Sequence, residues 1–153
     1  MMSGTVVGLY TAPRARAPMD SHDAVEVVAG VGIPGDRYAT GLGHWSDPRW
    51  PDQELTLVEA EVADDVGLPA NQLRRNIVTR GVRLDDLIGT TFKIGDAVLQ
   101  GIRPCDPCVH IQALTRPGIL KALVDRGGLR AHIVTGGRIQ VGDRIEAVEL
   151  AKG

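Results

Sequence analysis

The chain has few aromatic residues, little cysteine and no excess of positive charge. Its aromatics are Tyr10, Tyr38, Trp45, Trp50 and Phe92, which are 3% of the sequence and too few for a base-stacking platform. Its net charge of −2 excludes a nucleic-acid binder driven mainly by phosphate neutralisation, leaving room only for a local basic patch. No apolar run approaches the roughly 20 residues of a membrane span. Met1 to Tyr10 carries no basic stretch leading into a long apolar one, so no export signal is expected and the expected location is cytoplasmic. Its 2 cysteines, Cys105 and Cys108, stand too close together to frame a fold with disulfides. What remains is 153 residues, 43% of them hydrophobic, which predicts one soluble domain over residues 1–153 held together by its core.

The 19 glycines and 9 prolines divide the chain into short segments rich in valine and isoleucine. Strands are expected at Thr5–Tyr10, Ala24–Ala29, Arg74–Thr79, Thr91–Ile94, Ala97–Ile102, Ala131–Thr135, Arg138–Val141 and Arg144–Glu149. Gly95-Asp96 and Gly142-Asp143 each predict a two-residue hairpin turn, because glycine reaches the positive φ that such a turn needs. The spacing predicts a sandwich or barrel and not a βαβ sheet. Thr56-Leu57-Val58-Glu59 reads as a capping box, opening a helix that runs to about Val66 and stops at Gly67. A second helix is expected from Pro117 to Arg126, ended by Gly127-Gly128. The longest irregular stretch lies between Gly30 and Gln53, and a loop of that length is usually functional or mobile.

The sharpest local feature is Arg103-Pro104-Cys105-Asp106-Pro107-Cys108-Val109-His110. Structural zinc wants four nitrogen or sulfur ligands. Cys105, Cys108 and His110 supply three, with His22, His44 and His132 scattered. A dithiol redox pair is a second reading, although thioredoxin-like pairs open a helix in a βαβ setting. A soft-metal thiolate site is a third, and a pair of half-buried thiols in a stiff turn is the plain alternative. Taken alone, these residues leave all four open.

Arg74-Arg75-Asn76-Ile77-Val78-Thr79 reads as a strand whose alternation puts Arg74, Asn76 and Val78 on one face. A guanidinium fork beside an amide suits a phosphate or a pterin-like heterocycle, and Arg80 could enlarge such an anion site. An edge strand with solvated arginines is the plain alternative. In Gly35-Asp36-Arg37-Tyr38, Asp36 caps a turn and Arg37 is a further anion contact. Arg130 and His132 share a face of a late strand and rank below these candidates. The carboxylates Asp64, Asp65, Asp85 and Asp86 are adjacent pairs and read as helix-surface and turn charges. The chain has no nucleophile elbow, phosphate-binding loop or dinucleotide fingerprint.

In order and spacing, these pieces resemble the MOSC domain found at the C-terminus of molybdenum-cofactor sulfurases and in small stand-alone bacterial proteins. The resemblance runs from about Gly32 to Glu149. It rests on Gly35-Asp36-Arg37-Tyr38, Leu55–Glu59, Arg74–Gly81, Leu87-Ile88-Gly89, Phe92–Gly95, the cysteine pair and Gly136–Asp143. It implies a mainly β fold: a closed or partly open β-barrel similar to the pyruvate-kinase barrel domain, with two or three short helices. It also implies binding of molybdenum cofactor, a pterin dithiolene with a phosphate. Cys108 would be the metal ligand with Cys105 close by, and Arg74 and Asn76 would hold the pterin and its phosphate, joined by Arg37 and Arg80. Larger members carry an aminotransferase-like desulfurase domain that binds pyridoxal phosphate, and often a separate β-barrel domain. Neither is present here, so no pyridoxal phosphate is expected on this chain.

Three functions follow from that resemblance. In the first, Cys108 is a thiolate ligand or persulfide carrier in cofactor-dependent reduction or sulfur transfer, and Cys105 tunes or resolves it. The second is a non-catalytic cofactor carrier, and the third a Cys105–Cys108 redox protein without metal. The implied partners are the small-molecule cofactor and either a pyridoxal-phosphate-dependent desulfurase or a redox protein, with no nucleic acid and no membrane.

Overall fold

A computed structural model describes residues 3–13, 19–36, 54–67, 69, 73–104 and 128–148. The described strands are β1 (Ser3–Thr11), β2 (Asp20–His22), β3 (Ala24–Val27), β4 (Leu55–Glu59), β5 (Ile77–Arg80), β6 (Thr91–Ile94), β7 (Ala97–Pro104), β8 (Leu129–Thr135), β9 (Gly137–Gln140) and β10 (Arg144–Ala147). One sheet runs β10-β6-β7-β8-β4-β5-β1 and closes on itself because β1 also pairs with β10. The second edge of β1 is therefore shared: Ser3–Thr5 meet β10 and Leu9–Thr11 meet β2. β3 and β9 form a separate two-stranded sheet. The architecture is thus mainly β and closed into a barrel, as expected.

Closure removes the unpaired edges that an open sheet would expose. The barrel interior is filled by aliphatic side chains, including Leu9, Leu55, Leu57, Ile77, Leu99 and Ile133, together with Phe92. Each such fully buried side chain contributes about 1.5–3 kcal/mol of transfer free energy. The interior is therefore a packed core, and a ligand must be held elsewhere.

Two sequence expectations change here. Leu55–Glu59 is a strand and not a helix start, and the helix α1 begins only at Ala60 and runs to Val66 before Gly67. Both faces of β4 are covered, with Leu55 and Leu57 in the barrel core. Val58 packs outside it with Ala60, Val62, Ala63, Val66, Leu73 and Val78. A strand buried on both sides lacks the polar alternation that normally marks one. β4 and β5 run parallel, so α1 is the crossover that such a pair requires. A single βαβ unit is thus embedded in a barrel whose other described ladders are antiparallel.

The Gly95-Asp96 hairpin joins β6 to β7 as expected, with Gly95 at φ +57°. Gly142-Asp143 does not make a hairpin: β9 pairs with β3, whereas β10 pairs with β1 and β6. This turn carries the chain from the small sheet into the barrel, tied to β1 through Val6 N–H to Asp143 O at 2.9 Å. The strand expected over Arg74–Thr79 begins only at Ile77. Besides α1, the described residues include a 3-10 turn at Leu84–Leu87. The helix expected over Pro117–Arg126 lies outside the described residues.

Candidate functional site

Asn76 is fully buried, immediately before β5. Its Oδ1 accepts the backbone N–H of Thr56 at 3.1 Å and the Thr56 hydroxyl at 3.2 Å. Its Nδ2 donates to the carbonyl of Tyr10 at 3.1 Å. Its own backbone N–H bonds to Thr56 O and its carbonyl accepts from Tyr10 N–H at 2.8 Å. One amide thus clamps β1, β4 and the start of β5 together, so the side chain is occupied by the protein itself. What Asn76 presents to a site is the shape of the turn leading into it.

That turn holds Arg74 and Arg75. Arg74 has φ +59°, the one positive φ of a non-glycine among the described residues. A left-handed L-residue costs about 1–2 kcal/mol, and such strain collects where function constrains the chain. Arg74 therefore precedes the strand, and strand alternation does not put it on a common face with Asn76. Arg74 is 9% exposed and Arg75 6%. The Nη2 atom of Arg74 is buried without a hydrogen bond among the described residues, the side chain being otherwise engaged.

Strand register extends this corner sideways. Thr56 on β4 stands opposite Arg130 on β8, and Arg130 stands opposite Arg103 on β7. Leu129, Ala131 and Ile133 fill the barrel core, so Arg130 and His132 project from its outer face. Arg103 would point inward by simple alternation from the buried Gly101. A register shift between Gly101 and Arg103 inserts Ile102 and returns Arg103 to the outer face, where it is exposed. Tyr10, Asn76, Thr56, Arg130 and Arg103 therefore form a row across the outside of the barrel. Arg130 is 5% exposed, and its Nη1 is buried without a hydrogen bond among the described residues.

His132, two positions along from Arg130, has its Nδ1 2.9 Å from Oε1 of Glu54. The contact is ionic in distance but lacks hydrogen-bond geometry. Glu54 is held by its other oxygen, which accepts the Ile133 N–H at 3.1 Å.

The sequence candidates fall out as follows. Arg74 lies in the turn before β5 that Asn76 closes, while the Asn76 amide itself is spent on Thr56 and Tyr10. Arg80 lies at the other end of β5, about 13 Å further along at the usual strand rise, and pairs with Asp64 of α1 at 3.1 Å. Asp36 is buried, and its carboxylate accepts the Ala12 N–H at 3.0 Å, which ties the Gly35-Asp36 turn to the end of β1. Arg37, Cys105 and Cys108 lie outside the described residues, as does His110. Cys105 follows directly on Pro104, which pairs with Leu129, so the cysteine-bearing connection leaves and rejoins the barrel one position beyond the Arg103–Arg130 pair. Sequence reasoning read Thr56 as a helix cap, quoted Arg103 only as the start of the cysteine motif and gave Glu54 no role, so none of the three was named as a site residue. Reading Leu55–Val58 as an alternating strand would have found Thr56, whereas nothing in the sequence marks the bulge that re-aims Arg103.

Glu59, at the end of β4, has its carboxyl pushed above the usual carboxylate value. Burial is the main cause, and Glu61 and Asp85 add to it against a backbone hydrogen bond from Leu84 and the charge of Arg83.

Three largely buried arginines, two of them (Arg74 and Arg130) with a guanidinium nitrogen unsatisfied among the described residues, suit a multiply charged anionic ligand such as a phosphate-bearing pterin. No curated protein matches this chain in sequence. Among solved structures, the YuaD protein of Bacillus subtilis superposes with a TM-score of 0.78 at 20% identity, over 98% of each chain. YiiM of Geobacillus stearothermophilus gives 0.72 at 18% identity, over 98% of this chain and 77% of that one. YiiM of Escherichia coli gives 0.70 at 18% identity, over 100% and 73%. At such identities the likeness is one of fold. The model of the MOSC domain matches residues 50–146, which contain both cysteines and β4 to β10 save the last residue of β10, so the chain belongs to the MOSC domain family.

Proposed function

We propose that this protein binds molybdenum cofactor on the outer face of the barrel, at the corner where the Cys105–Cys108 connection leaves β7, and uses it in reduction or sulfur transfer. The supporting observation is the row that carries Asn76, Thr56, Arg130 and Arg103 up to the residue before Pro104-Cys105. Arg74 and Arg75 supply positive charge to the pterin phosphate, and Asn76 holds their turn in place. Arg37, beside the anchored Asp36, is the further cation of this reading. Cys108 is the thiolate ligand and Cys105 its neighbour. When bound, the cofactor supplies a molybdenum centre able to exchange electrons and sulfur or oxygen. The chain's own part is to orient that group, neutralise its charge and present sulfur to it. A sulfur-donating desulfurase or a redox protein is the corresponding partner class.

The test is expression in cells that make the cofactor, followed by metal and pterin analysis of the purified protein. Both should co-purify and both should fall in Arg74→Ala. Retention of pterin in Cys108→Ser with loss of activity supports a ligand role for that sulfur. Well-folded protein carrying neither metal nor pterin would overturn the reading.

A further inference from the structure

The segment between β5 and β6 is tied down at both ends. At its start, Glu61 on α1 accepts the Gly81 N–H through Oε2 at 2.9 Å. Glu59, at the end of β4, accepts the backbone N–H of Leu84. Two carboxyls from one short stretch thus hold a single turn, which delivers Val82, Leu84 and Leu87 to the barrel core. At the far end, Gly89 N–H bonds to Gly101 O at 2.8 Å and Gly101 N–H bonds to Thr90 O at 3.0 Å. Gly101 stands where the register of β7 shifts ahead of Arg103. A Cβ on it would lie 2.2 Å from the carbonyl oxygen of Leu87, so the segment and β7 are in close contact there.

One atom of this arrangement lacks a donor. Glu61 Oε1 is buried and receives no hydrogen bond among the described residues. An empty buried acceptor is unfavourable, and Arg80 does not fill it, because its guanidinium is paired with Asp64 at 3.1 Å. The half-buried Glu59 faces Glu61 on α1, Asp85 of the 3-10 turn and Arg83 just before that turn. Burial and two negative neighbours against one positive favour its neutral form, and a protonated carboxyl offers one O–H donor. We infer that Glu59 and Glu61 share one proton, the Glu59 O–H donating to Glu61 Oε1, and that this bond is a pH-sensitive latch on the segment from Gly81 to Thr90. With the proton in place, Oε1 is satisfied and both carboxyls keep their backbone amides. As pH rises the proton passes to water, and two carboxylates are left facing each other beside Asp85. Their repulsion loosens the hold on Gly81 and Leu84. The latch is fully closed below the ordinary carboxyl value of 4.5 and opens as pH rises through the raised one. It stands on these carboxyls alone and does not depend on the cofactor reading.

The experiment follows the full chain by NMR from about pH 4 to about pH 8, across the range in which such carboxyls titrate. It reads the side-chain carboxyl carbons of Glu59 and Glu61, and the exchange protection of the Gly81, Leu84 and Gly101 amides corrected for intrinsic rates. In the wild type the two carboxyls should titrate as a coupled pair. Protection of the three amides should fall about tenfold as the proton leaves, the factor that one pKa unit of coupling carries. Glu59→Gln, whose side-chain N–H takes the place of the shared proton, should keep that protection constant over the same range. Glu61→Gln, which offers Glu59 a donor in place of a like charge, should return the Glu59 titration toward 4.5. Independent titration of the two carboxyls in the wild type overturns the latch, and so does an equal loss of protection in Glu59→Gln. A Gly101 amide that stays protected while Gly81 and Leu84 open overturns its extent as far as Thr90.

Discussion

One side-chain oxygen of Asn76 accepts both the backbone N–H and the hydroxyl of Thr56, at 3.1 and 3.2 Å. This bond pair joins the start of β4 to the turn before β5, and the amide nitrogen extends the clamp to Tyr10 on β1. The arginines of the site hang from that clamp, so its strength sets how well they are held.

Asn76→Ala should therefore destabilise the protein by about 2–4 kcal/mol, since it leaves buried donors and an acceptor unmatched. Urea denaturation reads the change. Asn76→Asp keeps the acceptor oxygen but loses the donor to Tyr10 O, and should also destabilise at neutral pH. A variant as stable as the wild type would show that the clamp is dispensable.

At Arg74 the usual ranking of glycine and alanine should reverse. Both substitutions remove the same side-chain contacts, but only alanine retains the penalty of φ +59°. Arg74→Gly should be about 1 kcal/mol more stable than Arg74→Ala, and both should retain less pterin than the wild type. Alanine equal to or better than glycine in a melting comparison would mean that the left-handed turn is not maintained in solution.

Gly128 admits no side chain. A Cβ there would lie 2.1 Å from the carbonyl oxygen of Leu57, at φ +114°. Gly128→Ala must therefore push β8 away from β4, beside the Thr56–Arg130 register, at a cost of at least about 2 kcal/mol. Its pterin content should fall along with its melting temperature.

Glu59 gives a pH signature. Its raised pKa means that the folded state holds this proton more tightly than the unfolded chain does. This proton favours folding fully below the ordinary value of 4.5, and its contribution is lost as pH rises through the raised value. Glu59→Gln should then melt higher than the wild type at pH 7, with the gap closing at pH 4. A gap of constant size across that range would rule out titration of this carboxyl as the cause.

Several elements could be seen in advance. Thr91–Ile94, Gly95-Asp96 and Ala97–Ile102 form a hairpin whose alternation and turn chemistry are entirely local. The Val66–Gly67 helix end was equally plain. Leu55–Glu59 was not, because a threonine followed three residues later by glutamate satisfies a helix cap as well as a strand, and the choice between them lies with the side chains on both faces. Gly142-Asp143 looked like a hairpin because turn chemistry fixes a bend without saying which strands flank it.

The sequence by itself determined where the chain turns, which segments are strands of alternating burial, and the ordered motifs that mark the family. Those properties depend on neighbours within a few residues. Only the tertiary structure decided that Arg103 faces Arg130, that Thr56 meets Asn76, and that this row ends where the cysteine-bearing segment begins. The register between distant strands and a single inserted residue set those pairings, and both arise from closing the barrel around its core.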